Sequence, residues 1–167
     1  MTLASKSDGR ATVHATVEYT FPNRTPTNTD YMYLRQSGEE WRINRWFPEA
    51  LRRRFASKTV REFFDTLYND NDIGAANAMY YSDDGGPLEA SSFDSYGGLE
   101  NITTMVKSTE VVSEGDGQAE VHADVEYDTP NGTNTRTDYV YLKLHQGSWT
   151  IDSWLPEAIR ESETETG

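Results

Sequence analysis

Cysteine is absent from the 167 residues. Disulfides, thiolate zinc sites and cysteine nucleophiles are therefore excluded. Lysine is scarce, with Lys6, Lys58, Lys107 and Lys143 against eleven arginines. Histidine is limited to His14, His122 and His145, whose separations match no metal-ligand spacing. No apolar run approaches the ~18 residues of a membrane span. The opening MTLASKSDGR lacks the apolar stretch of a signal peptide. No metal, cofactor or membrane span is expected. Localisation is taken as cytoplasmic by default, with a cell-surface fragment as the alternative.

Acidic residues are abundant. Twenty-eight Asp and Glu against fifteen Lys and Arg leave a formal net charge of −13. Abundant carboxylates and threonines with little lysine resemble the acidic proteomes of salt-loving archaea. A large net charge keeps a protein soluble but strains the fold by self-repulsion. A Debye length of ~3 Å near 1 M salt removes most of that strain. The charge is also lopsided. Residues 1–61 carry eleven basic and six acidic groups (+5), and residues 62–167 carry four and twenty-two (−18). The arginines cluster between Arg35 and Arg61. No basic run is interleaved with aromatics, so nucleic acid is not the expected partner. Mutual neutralisation of the two parts, within a chain or across a dimer, is expected instead.

An internal repeat dominates the chain. Asp8–Arg52 and Asp116–Arg160 align without a gap at an offset of 108. Roughly 25 of about 45 aligned positions are identical, well above chance. Each copy reads as three strands. Val121, Ala123, Val125 and Tyr127 alternate with Glu120, His122, Asp124 and Glu126, the period of a half-buried strand. Val140, Leu142 and Leu144 alternate with tyrosines and a lysine, and Trp149 to Trp154 forms a third strand. Copy one repeats this through Val13, Met32, Leu34, Trp41 and Ile43. Strict alternation puts Trp46 and Trp154 on the face opposite Ile43 and Ile151. Pro48 and Pro156 end the last strands. The intervening segment begins helical, with Ser57 as a cap and Val60, Phe63, Phe64 and Leu67 at i, i+3, i+4 and i+7. Asp72 caps a second short helix. Leu88–Ser92 reads as a short strand. The expected organisation is a half-unit at 8–54, a complete unit at 55–160 and an acidic tail at 161–167.

Residues 57–156 resemble the nuclear transport factor 2-like, cystatin-like superfamily, in its uncharacterised SnoaL-like or lumazine-binding-like branch. The resemblance rests on TVREFFDTLYNDND, on AMYYSDDGG, and on the closing pattern Val-x-Ala-x-Val-x-Tyr, Asp-Tyr-Val-Tyr-Leu, Trp-x-Ile-x-x-Trp. It implies an α+β fold, a curved antiparallel sheet packed on N-terminal helices to form a cone. The preceding copy would be a three-stranded half-repeat of the same fold. Enzymes of this superfamily of the isomerase and cyclase kind place a tyrosine and two carboxylates in the cone. Those positions fall here on Phe63, which has no hydroxyl, on Glu89 and on Asp138. Glu89 and Asp138 are thus the candidate catalytic pair. Phe63, Phe64, Leu67 and Met79 are candidates to line a cavity for a small apolar ligand, or to plug it. The fold hosts enzymes, carriers and dimerisation modules alike.

Aromatic side chains repeat between the copies more insistently than any catalytic pattern. Tyr31, Tyr33 and Trp46 match Tyr139, Tyr141 and Trp154. Their number exceeds what a solvated sheet face needs. They are candidates for an interface in which sheets pack back to back. The function expected is a non-catalytic binding or assembly module, with a carboxylate-dependent isomerase or cyclase as the alternative. The half-unit lacks helices for one face of its sheet. Either residues 51–67 serve both sheets, or a second chain forms a homodimer over the gap, or the parent chain is longer.

Overall fold

Two Asp-Gly pairs set the architecture of the protein, seen here in a computed structural model that describes residues 1–80, 86–145 and 147–156. Asp8 and Gly9 have φ of 44° and 71°, and Asp116 and Gly117 have 52° and 77°. Successive positive φ values make the tight hairpin turn whose twist matches that of its strands. Each pair opens a four-stranded antiparallel sheet. The first is β1 (Thr2–Ser7), β2 (Arg10–Glu18), β3 (Thr27–Ser37) and β4 (Glu40–Phe47), in that spatial order. The second is β5 (Thr103–Gly115), β6 (Gln118–Thr129), β7 (Gly132–His145) and β8 (Ser148–Pro156), in the same order. The first sheet thus has four strands rather than three. Its extra strand β1 pairs with β2 from Thr2↔His14 to Ser7↔Arg10. The polar sequence TLASKS carries no alternation that would announce an edge strand.

The registers coincide at the offset of 108. Val13 faces Met32 as Val121 faces Val140, and Leu34 faces Ile43 as Leu142 faces Ile151. Both last strands also slip by one residue at equivalent places, between Ile43 and Arg45 and between Ile151 and Ser153. The unpaired residue of each bulge is Asn44 or Asp152. A bulge resets the alternation of faces. Trp154 pairs with Val140 and Ile151 with Leu142, so both project to the same side. Strict alternation, which separates Trp154 from Ile151 and Trp46 from Ile43, fails for this reason.

The chain divides into two units, residues 1–54 and 55–167. Helix α1 (Glu49–Phe64) begins in one and ends in the other. It starts just after Pro48, eight residues before Ser57, which lies inside it. In the second unit Val60, Phe63 and Phe64 are fully buried, and Leu67 follows on a π-helical turn over Asp65–Asn69. They pack into the core with Val121, Val125, Val140, Leu142 and Ile151. Each such side chain contributes on the order of 1.5–3 kcal/mol of burial. Arg61 donates to the Val106 carbonyl (2.9 Å). Asn69 both accepts from the Thr104 N–H (2.8 Å) and donates to its carbonyl (2.9 Å), fixing the turn to β5. Asp72 caps α2 (Ile73–Met79) by accepting from the Ala75 N–H (2.8 Å). Leu88–Ser92 is not a strand; a 3-10 helix spans Ala90–Tyr96. The acidic tail at 161–167 lies outside the described residues.

Candidate functional site

One polar constellation occurs twice. Asp138, on β7 and fully buried, accepts hydrogen bonds from the Tyr127 hydroxyl and from Trp154 Nε1 (3.0 Å). Asp30, on β3 and fully buried, accepts from the Tyr19 hydroxyl and Trp46 Nε1 (3.0 Å). Each residue is related to its counterpart by 108. The elements dictate the meeting. The tyrosine lies near the end of β6 or just past β2, the carboxylate lies on the neighbouring strand, and the bulge turns the tryptophan to the same face. In the first unit Asp30 takes a third donor, the Glu49 N–H at the start of α1 (3.2 Å). Glu49 in turn accepts from the Thr29 N–H (2.8 Å). In the second unit Arg136 Nε lies 3.2 Å from Asp138 Oδ1.

The titration of these groups follows from burial. Asp138 is raised above the ordinary carboxylate range by desolvation, against which Tyr127, Arg136 and Trp154 act to lower it. Tyr127 is pushed well above the usual phenol value, chiefly by burial and also by Tyr68 and Asp138. The Tyr19 phenol is pushed up to about 12, chiefly by its hydrogen bond to Asp30. Both tyrosines are therefore neutral donors at any working pH. Asp124, on the other face of the second sheet, is lowered by hydrogen bonds from Ser108 (2.6 Å) and Thr137 (2.8 Å).

Beside the second constellation lies a cleft of about 300 Å³, at the lower end of the range for small-molecule pockets. Buried Tyr68 and Tyr127, half-buried Arg136 and Thr129, and exposed Asn131 and Asn134 are among the residues that line it. The Arg136 guanidinium lies 4.0 Å from the centroid of the Tyr127 ring. Among the described residues no cluster of three or more His, Asp or Glu is placed to hold a metal ion. No helix among them is long and apolar enough to cross a membrane.

The candidates from the sequence fall in different surroundings. Glu89 is exposed on the loop before the 3-10 helix and accepts from Ser91 (3.3 Å), whereas Asp138 is buried under its three partners. Phe63, Phe64 and Leu67 are packed core, and Met79 lies against it. Trp154 belongs to that core too, with its ring 5.7 Å from Phe64 and 5.8 Å from Phe63. Trp46, its counterpart, is 54 % exposed. Tyr31 is buried, stacked with His14 (4.0 Å) and covered by the Arg52 guanidinium (3.8 Å). Arg52 is itself buried and donates to the carbonyls of Phe47 (2.9 Å) and Thr29 (2.7 Å). Tyr33, Tyr139 and Tyr141 are half-buried. Tyr19, Asp30, Tyr68, Tyr127 and Arg136 were not among the site candidates legible in the sequence. The first, second and fourth had a signal, since each is identical in the two copies.

Neither a family model nor a curated protein matches the chain. A solved structure does, an Ntf2-like protein involved in plasmid conjugation. It is 6 % identical, with a TM-score of 0.50, over 94 % of this chain and 74 % of that one. The fold is nuclear transport factor 2-like. At this identity the likeness concerns fold alone. Two four-stranded antiparallel sheets with helices agree with the α+β class that the resemblance implied.

Proposed function

We propose that this protein is a non-catalytic assembly module of a salt-loving organism, in which sheet faces of two chains pair back to back. The first unit would be the C-terminal half of a nuclear transport factor 2-like repeat and the second a complete one. The observation that carries the proposal is the composition of the two outer faces, those turned away from Val13 and from Val121. On the first sheet that face bears Arg10, Arg35, Arg42 and Arg45 against Glu18 and Glu40. On the second it bears Glu110, Glu120, Asp124, Glu126 and Asp128 against Lys107 and Lys143. Tyr33 marks the first face, and Tyr139 and Tyr141 the second, half-buried side chains of the kind enriched at interfaces. Opposite charge sets orientation and partner choice, and aromatic area supplies affinity. Two chains related by a twofold axis would then each present a basic face to the other's acidic one.

The carboxylate-dependent reading is weaker. The Tyr–Asp–Trp constellation is present in the first unit as well, where the register and burial of Asp30 tie β2, β3, β4 and the start of α1 together. A device that serves the same fold-building purpose twice does not need a reaction to explain it.

Charge exchange tests the proposal. Arg42→Glu/Arg45→Glu and Glu120→Lys/Glu126→Lys should each be monomeric by light scattering. Mixed in equal amounts they should recover a dimer. Dimers that persist in both variants alone would rule out this pairing.

A further inference from the structure

The other face of the first sheet carries an anomaly of its own. In the second sheet the corresponding face is core, sealed by Val60, Phe63, Phe64, Leu67 and Ala76. In the first sheet its apolar side chains are open. Leu3 is 58 % exposed, Ile43 60 % and Trp46 54 %, while Val13, Met32 and Leu34 are half-buried. An open sheet face ought to become polar, because exposed contiguous apolar surface invites aggregation. It has not.

The two copies differ least where covering is missing. The strand registers place twelve positions of β2, β3 and β4 on this face, and their partners at +108 are identical except at three: Asn28 for Arg136, Met32 for Val140 and Gln36 for Leu144. On the opposite face nine of fifteen positions differ, among them Arg42 for Thr150 and Arg45 for Ser153. Solvent places no demand for Val, Ile and Trp at fixed positions. A packed partner does, since interiors are filled to crystal-like density and tolerate few substitutions.

We infer that this face of the first sheet is the docking surface for an amphipathic α-helix of the same kind that seals the second sheet. Its apolar stripe would follow the spacing of Val60, Phe63, Phe64 and Leu67. The retained Tyr19–Asp30–Trp46 hydrogen bonds hold Trp46 ready for it, as Tyr127–Asp138–Trp154 hold Trp154 against Phe63 and Phe64. Apolar area rather than charge would hold the helix, since Arg10, Arg35, Arg42 and Arg45 lie on the opposite face and the registers place only Lys6 and Asp30 among the charged strand residues on this one. The face is distinct from the one assigned above to pairing between chains, so the two proposals stand or fall separately.

The probe is a fluorescent peptide with the sequence of residues 55–80, added to the full chain in strong salt and followed by anisotropy. The peptide should bind the wild type. Ile43→Glu and Leu3→Glu, both at exposed positions that leave the fold intact by circular dichroism, should each weaken binding about tenfold or more. A peptide with Phe63→Ser and Phe64→Ser should not bind. Absence of wild-type binding would overturn the inference. So would binding unchanged in both variants, which would place the peptide elsewhere, for example on the second sheet. Loss of self-association in Ile43→Glu without peptide binding would assign the face to a second copy instead, and would equally overturn it.

Discussion

An ionised carboxylate taken out of water costs several kcal/mol unless donors surround it. Tyr127, Trp154 and Arg136 offset part of that cost at Asp138, and Asp30 has Tyr19, Trp46 and the Glu49 N–H as donors. Tyr127→Phe removes a donor from a buried charged acceptor. It should destabilise the second unit by about 1.5–3 kcal/mol in denaturant titrations. Tyr19→Phe should cost less, because Tyr19 is only half-buried. The pH response of Asp138 has a definite sign. Burial raises its folded pKa above the ordinary carboxylate range. Its contribution to stability is therefore fully present below the unfolded pKa and is lost as pH rises through the folded one. Wild type should lose stability relative to Asp138→Asn as pH climbs from the ordinary carboxylate range through the raised folded pKa, and a difference that stays flat across that window or runs the other way would contradict the burial account. At this scale the sequence was only partly legible. Asp138 stood out as a candidate acid, but its partners lie eleven and sixteen residues away on neighbouring strands. Only pairing register brings them together. Glu89, aligned with a catalytic base, is exposed instead, because local sequence similarity carries no information about which way a loop residue faces.

Alternation made the strands readable, and a single inserted residue made one inference from it fail. Asp152 in β8 and Asn44 in β4 are unpaired, and each turns the tryptophan that follows onto the face of the preceding isoleucine. Hydropathy cannot reveal such a bulge, since the pattern Trp-x-Ile-x-x-Trp reads equally well as two faces. Deleting Asp152 should restore strict alternation, drive Trp154 out of the core and abolish the near-ultraviolet circular dichroism of the second unit. Retention of that signal would mean the bulge does not position Trp154. The helical stripe was legible for the opposite reason. Val60, Phe63, Phe64 and Leu67 are all fully buried, and Phe64→Ala should cost about 3–5 kcal/mol by chemical denaturation. The start of α1 was harder to place. Pro48 and Glu49 mark it, with Asp30 accepting from the Glu49 N–H across nineteen residues of sequence, a contact no local window contains. Strand β1 left no trace in the pattern, because Leu3 is the one large apolar residue among its paired positions.

Charge organises the whole molecule. Net charge is −13, yet residues 1–54 carry nine basic against six acidic groups and residues 55–167 six against twenty-two. The acidic unit repels itself and should gain stability with added salt, its unfolding midpoint rising between low salt and about 1 M as screening shortens the Debye length to ~3 Å. The same screening weakens long-range attraction between chains. Under the proposed pairing, association in strong salt would rest on contact-range ion pairs and on the area of Tyr33, Tyr139 and Tyr141, with charge fixing orientation. The α+β class was legible through the family resemblance, and the repeat returns as strand registers that match at the 108-residue offset. The use of the faces was not, because a charge lies on one face or the other only once bulges and registers are known. Light scattering in strong salt tests the central claim most directly. The proposal of paired sheet faces predicts a particle of twice the chain mass of 18.9 kDa, reduced to a single chain by Arg42→Glu/Arg45→Glu. A wild-type protein that remains a single chain at every concentration would contradict it.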